Sequence, residues 1–265
     1  MAKITDRPQI NTKTLLKEII TKNLLKQSKL HLVLDIDQTL LHAVCFNDLQ
    51  PEDFDFLKQN CEDFRESLCM FELESVHYLV KLRPYVRAFL EQANSLFELS
   101  LYTKGTKMYA RCIAKLLDPE GKYFGQYRRI IGREDTPTEF KTLDLVRVEE
   151  RAILIIDDTE IWPYDSENLL VIERYNYFGT KREGDGYLKR RSDECEFGGS
   201  LMNILEIAKG VHKRFFQLGN NNVVDEDDRR DVRIILGRQA EEKRRMISMI
   251  EVEVDREAPR KTKKD

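Results

Sequence analysis

Glycine and proline are scarce in this chain of 265 residues, at 12 and 7. A collagen-like or low-complexity chain needs several times more, and 41% hydrophobic residues is too many for a chain disordered throughout. Long apolar runs are missing as well. The longest aliphatic stretches are short, as in Ala152-Ile153-Leu154-Ile155-Ile156, against the roughly 20 residues a membrane-spanning helix requires. No membrane association is expected. Nor is there an excess of positive charge: 44 basic residues face 47 acidic ones, for a net charge of −3. A chain devoted to coating nucleic acid would be clearly basic, so direct nucleic-acid binding is not expected and only a local patch stays open.

Cys45, Cys61, Cys69, Cys112 and Cys195 are odd in number and none stands in a C-x-x-C pair. That pattern speaks for a reducing compartment and against a disulfide framework or a structural zinc site. No secretory signal peptide heads the sequence. Lys13 to Gln27 carries Leu15, Leu16, Ile19, Ile20, Leu24 and Leu25 at the spacing of an amphipathic helix. A mitochondrial presequence would favour arginine and avoid acids, yet Arg7 is the one arginine before the first strand, and Asp6 and Glu18 are present. A packing helix is the expectation.

Four short apolar runs follow: Leu32-Val33-Leu34 before Asp35, Phe97 to Tyr102 before Thr103, Arg129-Ile130-Ile131 before Gly132, and Ile153 to Ile156 before Asp157. Helical patterns at Tyr85 to Leu96 and Thr106 to Leu117 lie between them. Near-continuous apolar strands alternating with helices predict an α/β fold, a parallel sheet with helices on both faces. In such sheets the ligand crevice lies beyond the carboxyl ends of the strands, so the polar residues there should converge. Phe46 to Glu74, with nine acids against two bases, reads as an insertion over the sheet edge that ends in a hairpin through Met70 to Leu82. Gly179 to Gly199 reads as a loop, and Ser200 to Leu218 as a helix with Leu201, Ile204, Leu205, Ala208, Val211 and Phe215 on one stripe. The acidic run Asp225 to Asp228, a helical candidate at Arg238 to Ile250 and the polar end Arg260 to Asp265 complete the chain. The expected organisation is an N-terminal helix in 1–27 and a core in 28–180 with its insertion at about 46–82. A loop and helix in 181–220 and a charged helix and tail in 221–265 follow.

The most informative stretch is Leu34-Asp35-Ile36-Asp37-Gln38-Thr39-Leu40-Leu41. Side chains two apart on a strand start on one side, so Asp35 and Asp37 can share a pocket. Adjacent anions repel unless a cation stands beside them, and one can then serve as nucleophile while the other carries a proton. The competing reading is a strand closed by an Asx turn. Asp157-Asp158 ends another apolar run and suits Mg²⁺, which takes oxygen ligands; a turn or helix N-cap is the alternative. Thr103 offers a hydroxyl before a helix N-terminus, or is a plain cap. Lys141, opening a helical stretch, is a candidate cationic clamp or a solvated lysine. Arg83, in Lys81-Leu82-Arg83-Pro84, is a candidate anion contact or a surface salt bridge.

Together these residues carry a resemblance. Asp35-Ile36-Asp37-Gln38-Thr39-Leu40-Leu41-His42 resembles the signature of haloacid dehalogenase (HAD) superfamily phosphatases. More narrowly it resembles the FCP/SCP protein phosphatases of the RNA polymerase II C-terminal domain (CTD). Val80 to Pro84, Tyr102 to Ala110, Arg129 to Ile131, Lys141 to Leu143, Ile155 to Trp162, Asn168 to Leu170 and Val211 to Phe216 match in order. Gln38 and the double Asp followed by Trp162 favour the FCP branch.

The resemblance implies a HAD-like, Rossmann-like core and a protein serine/threonine phosphatase of the nucleus. Asp35 would attack the phosphoryl group to form an aspartyl-phosphate, and Asp37 would protonate the leaving hydroxyl and then activate water. Asp35, Asp37 (through its main-chain carbonyl), Asp157 and Asp158 would hold Mg²⁺. Thr103 and Lys141 would grip phosphoryl oxygens, and Arg83 would contact substrate or order the site. The implied partners are the phosphorylated polymerase CTD and, through it, transcription factors. The long acidic tail that would hold such a factor has no match. The FCP branch usually carries a BRCT module; Asp231-Val232-Arg233-Ile234-Ile235 resembles its entry, but about thirty residues follow, so a compact form without that module is expected. The alternatives are a HAD phosphatase acting on another phosphoprotein or a nucleic-acid 3′ phosphate, and a non-catalytic scaffold. A scaffold would be expected to have lost Asp35 or Asp37.

Overall fold

The computed structural model describes residues 12–126, 128–160, 162–179, 185–217 and 230–257. In chain order the elements are α1 (Thr12–Lys26), β1 (Leu30–Leu34), β2 (Leu41–Cys45), α2 (Pro51–Gln59), β3 (Leu68–Leu73) and β4 (Val76–Leu82). Then come α3 (Val86–Leu96), β5 (Phe97–Tyr102), α4 (Lys107–Leu117), β6 (Ile130–Ile131), β7 (Ile153–Asp157), β8 (Leu169–Val171), α5 (Ser200–Gln217) and α6 (Val232–Glu257). The acidic run 225–228 and the polar end 260–265 lie outside the described residues, as do Ile161 of the Ile155 to Trp162 motif and part of the 179–199 segment. Among the described residues no helix is long and apolar enough to cross a membrane.

The main sheet has the order β6-β5-β1-β7-β8, with parallel pairing throughout. Every residue of β1 and β7 is buried. That is why these strands read as continuous apolar runs: a central parallel strand has no solvent side on which polar residues could alternate. Each such Leu or Ile contributes about 1.5–3 kcal/mol of burial. The strand order reverses at β1, so the carboxyl ends of β1, β5 and β7 meet at one crevice.

A second sheet, antiparallel in the order β2-β4-β3, holds the hairpin expected from Met70. The insertion also contains α2, and it has a core of its own. Leu57 and Leu79 pack there with Tyr175, Tyr177, Phe178 and Leu188, which come from the segment after β8. The insertion and the later segment are therefore halves of one accessory unit. His42 belongs to this joint as a buried acceptor, its Nδ1 taking the backbone N–H of Tyr177 at 3.0 Å and of Phe178 at 3.1 Å.

Two helices depart from expectation. In α1, Leu24 and Leu25 are buried while Leu15, Leu16 and Ile19 are exposed; only the last turns reach the sheet, ending with Ser28 at φ 53°. The last helix starts at Val232, six residues before Arg238. Val232 and Ile235 are buried in the main core, and Asp231 caps the helix by accepting Arg233 N–H at 2.8 Å. The stripe on α5 is buried as read, from Leu201 to Phe215.

The β3–β4 turn places Glu74 and Ser75 at φ 51° and 63°, the region that Asn-Gly occupies in type I′ hairpins. Glu74→Asn with Ser75→Gly is expected to raise the unfolding free energy by about 1 kcal/mol, read as a higher urea midpoint at unchanged m-value. A lower midpoint would locate the turn's strain elsewhere.

Candidate active site

Asp35 follows β1 directly, its N–H bonded to the carbonyl of Ile156 on β7 at 3.0 Å. That bond sets the end of β1 beside the end of β7, where Asp157 and Asp158 stand. One oxygen from each of Asp35, Asp157 and Asp158 lies within 4.8 Å of the others. Lys141 enters between them: its Nζ donates to Asp35 Oδ1 at 2.5 Å and to Asp157 Oδ2 at 2.7 Å. The ammonium also lies 5.7 Å from the ring centroids of both Tyr102 and Trp162, which meet edge to face. No helical stretch begins at Lys141; a single 3-10 turn, Leu143–Leu145, follows. Its register comes instead from Thr142, whose N–H bonds Tyr102 Oη at 3.2 Å.

Asp157 is fully buried and saturated with donors: Thr159 N–H and Oγ1 on Oδ1, Lys141 and Trp162 Nε1 on Oδ2. Asp158 accepts from Arg174 at 2.7 Å, and its N–H donates to Thr39 Oγ1 at 3.0 Å. On the other side of the pocket, Asp37 accepts from Tyr109 Oη at 2.5 Å and from Thr103 Oγ1 at 3.1 Å. Gly105 is required here: a Cβ on it would stand 2.7 Å from the Tyr109 ring and 3.3 Å from Thr103 Oγ1.

The electrostatics follow from burial. Loss of water pushes the Asp35 carboxyl up to about 7; Lys141 opposes the rise, and Asp157 and Asp37 add to it. Burial raises Asp37 as well, against the hydrogen bonds of Tyr109 and Thr103. Burial would likewise raise Asp157, but Lys141, Thr159 and Trp162 outweigh it and hold this carboxylate below its usual range. Burial alone would pull Lys141 down, yet Asp35 and Asp157 win and fix it as a cation. Tyr109 is held well above 10 by burial and by Asp37, so it is a neutral donor. Asp35, Asp37, Thr103, Lys141, Asp157 and Asp158 thus line one pocket of about 180 Å³. Its three clustered carboxylates are short of positive charge, and their oxygen donors suit a hard divalent cation.

Residues 30–213 match the family described as NLI interacting factor-like phosphatase. The chain belongs to this phosphatase family. It is 41% identical over 233 residues to "RNA polymerase II C-terminal domain phosphatase-like 4" of Arabidopsis thaliana, covering 83% of this chain and 51% of that one. It is 36% identical over 221 residues to "RNA polymerase II C-terminal domain phosphatase-like 3" of the same plant, covering 77% of this chain and 17% of the relative. The chain thus spans about half the length of the first relative and a small part of the second. The solved structure of Fcp1, described as an essential RNA polymerase II CTD phosphatase, superposes with a TM-score of 0.68. It is 23% identical and covers 83% of this chain and 73% of that one, a likeness of fold. The fold of this NLI interacting factor-like phosphatase is therefore HAD-like: a parallel sheet flanked by helices.

Arg83 is the expected site residue that this phosphatase domain places elsewhere. It does not line the pocket. Its buried guanidinium donates to Glu194 at 2.6 Å, to the carbonyl of Thr39 at 3.0 Å and to that of Glu173 at 2.8 Å. Three segments meet there: the turn after Asp37, the strand end after β8, and the 193–195 loop. Pro84 follows Arg83 and Tyr85 turns at φ 71°, so the chain leaves Arg83 sharply and leaves its side chain pointing inward. Tyr109, Thr39, Thr159 and Arg174 have no role assigned from sequence. Tyr109 carries a usable signal, since it stands six residues after Thr103 in the first turn of a helix that begins beside the pocket.

Burial pushes Glu194 up, but Arg83 and the Ser200 N–H outweigh it and hold the carboxyl below its ordinary 4.5. The resulting stabilisation is present above pH 4.5 and is lost as the pH falls through the depressed value. Glu194→Gln is expected to lower the unfolding free energy at pH 7 by about 2 kcal/mol and to flatten its acid limb. Equal stability of the two proteins at pH 7 in chemical denaturation would show that the pair contributes nothing.

Proposed function

We propose that this chain is a magnesium-dependent protein serine/threonine phosphatase of the nucleus that removes phosphate from the heptad repeats of the RNA polymerase II C-terminal domain. The observation that carries the chemistry is the convergence of Asp35, Asp157 and Asp158 around Lys141, with Asp37 held opposite by Thr103 and Tyr109. The substrate class follows from the names of relatives, several of them CTD phosphatases.

Asp35 Oδ2 accepts no hydrogen bond among the described residues and is the atom assigned to attack phosphorus. A bond forms from Asp35 to phosphorus as the bond to the seryl oxygen breaks. The Asp37 carboxyl gives its proton to that leaving oxygen, giving serine and an aspartyl-phosphate. Asp37, now a carboxylate, takes a proton from water whose oxygen attacks phosphorus, releasing phosphate and restoring Asp35. Burial favours a protonated Asp37 before the first transfer. Tyr109 and Thr103 fix its two oxygens, so the acid does not rotate between the steps. Lys141 remains cationic and close enough to Asp35 to bind a phosphoryl oxygen, and Thr103 Oγ1 is a second contact. Asp35, Asp157, Asp158 and the main-chain carbonyl of Asp37 are assigned to hold magnesium. When bound, that ion neutralises the carboxylates and the phosphoryl charge. Arg83 is assigned to ordering the Thr39 turn.

Phosphate release from CTD heptad peptides phosphorylated at different serines, with and without Mg²⁺, tests the reading. Asp35→Asn is expected to abolish release; release that survives it would remove Asp35 as nucleophile. Equal turnover of unrelated phosphopeptides, or faster turnover of a nucleic-acid 3′ phosphate, would replace the assigned substrate. Tyr109→Phe is expected to lower kcat about tenfold with KM changed less than about twofold, because it loosens the acid without touching substrate binding. A KM effect alone would assign Tyr109 to substrate contact.

A further inference from the structure

A second cleft, of about 1060 Å³, opens beside the catalytic pocket between α4 and the 143–148 segment, with the edge strand β6 along it. Six cations line it: Lys107, Arg111, Lys115, Arg128, Arg129 and Arg147. Two carboxylates, Glu98 and Asp135, face them. They engage two of the six, Asp135 pairing with Lys107 at 2.6 Å and Glu98 with Arg129 at 3.0 Å. Arg111, Lys115, Arg128 and Arg147 are exposed and form no ion pair or side-chain hydrogen bond with any described residue. A chain of net charge −3 that gathers four unpaired cations around one concavity builds a local field for anions. Three of the four are arginines, whose planar forks match phosphate oxygens.

The spacing links this cleft to the catalytic pocket. Lys104 lines the pocket and Lys107 lines the cleft; three residues of chain separate their Cα atoms by at most about 11 Å. Lys107, Arg111 and Lys115 then recur at i, i+4 and i+8 on one face of α4, covering about 12 Å. Seven residues of extended peptide reach about 23–25 Å. A peptide with one phosphate at Asp35 therefore has the length to set a second, one heptad away, along this stripe. Among the described lining residues there is no Phe, Tyr or Trp on which a base could stack, which favours a phosphopeptide over single-stranded RNA.

We propose that this cleft is a second phosphate-binding site, which takes a further phosphorylated repeat of the same peptide while one phosphoseryl group occupies the catalytic pocket. It rests on the phosphopeptide-phosphatase reading above. The site adds affinity for multiply phosphorylated chains and leaves the chemical step untouched.

The test uses the full chain, its Arg111→Glu/Lys115→Glu variant, and heptad peptides with one or four phosphorylated repeats. Fluorescence anisotropy without Mg²⁺ is expected to show affinity for the four-phosphate peptide falling about tenfold in the variant, with a shallower salt dependence. Phosphate release from the one-phosphate peptide should change less than about twofold in kcat and KM. Equal affinity of both proteins for the four-phosphate peptide would overturn the proposal. So would tighter binding of a single-stranded RNA of equal charge. If circular dichroism shows the first variant misfolded, Arg128→Glu/Arg147→Glu, on separate segments, carries the same expectations. Charge-dependent peptide binding without phosphate release from any heptad peptide would overturn the catalytic reading and leave the cleft standing.

Discussion

A buried ammonium between two buried carboxylates is the interaction on which the rest of this site depends. Lys141, Asp35 and Asp157 are each nearly or fully excluded from solvent, and none of them could remain charged there alone. Their mutual bonds at 2.5 and 2.7 Å offset desolvation only because further donors complete the cage. Trp162 Nε1 and Thr159 satisfy Asp157, and the Tyr102 and Trp162 rings receive the ammonium. Removing Lys141 would leave two anions unpaired next to Asp158. The residues that hold the sheet's end together are thus the ones that set the chemistry.

The same constraint accounts for the accessory unit. The turn from Asp37 to Leu41 has to be held open toward the pocket, with Gln38 at φ 63°, and nothing within the parallel sheet holds it. The segment after β8 does so from outside, through Tyr175 N–H to the carbonyl of Gln38 at 2.7 Å. Arg83 adds its bond to the carbonyl of Thr39. Lys81 repeats the device one pleat earlier, buried against Asp193 at 2.5 Å and over Tyr177. Asp193 in turn accepts from Tyr175 Oη at 2.8 Å. The basic strand end Lys81-Leu82-Arg83 and the acidic pair Asp193-Glu194 therefore clamp insertion, catalytic turn and late loop together. The pocket's mouth is built from residues far apart in sequence.

That distance separates what could be read from the chain from what could not. The ends of β1, β5 and β7 were legible because buried parallel strands leave an unbroken apolar run, and a polar residue closing such a run stands out. β2 and β8 were not. β8 is three residues long, and β2 takes its identity from pairing with β4, which local composition does not encode. Lys141 was recognisable by its order among the motifs and not by local structure, since the expected helix is a single 3-10 turn. The ambiguity left for Arg83, between touching substrate and ordering the site, could be narrowed only once its three acceptors were in place. Tyr109 and Asp37 are 72 residues apart, and only the crossing of α4 over the strand ends brings them together.

Net charge is the clearest case of a number that averages opposites. The catalytic pocket gathers four carboxylates, and the adjoining cleft gathers six cations against two acids. At the roughly 10 Å screening length of ordinary salt, the two fields remain distinct over neighbouring surfaces. A dianionic phosphate approaching the carboxylates alone would be repelled, and so the pocket needs both Lys141 and a divalent cation before it accepts its substrate. The cleft needs neither, because its cations are exposed and already unpaired. A phosphorylated chain is therefore attracted first by the surface beside the pocket and admitted by the pocket only when its metal is bound. On this argument the order of capture and chemistry is set by where charge is buried, and the near-zero total conveys none of it.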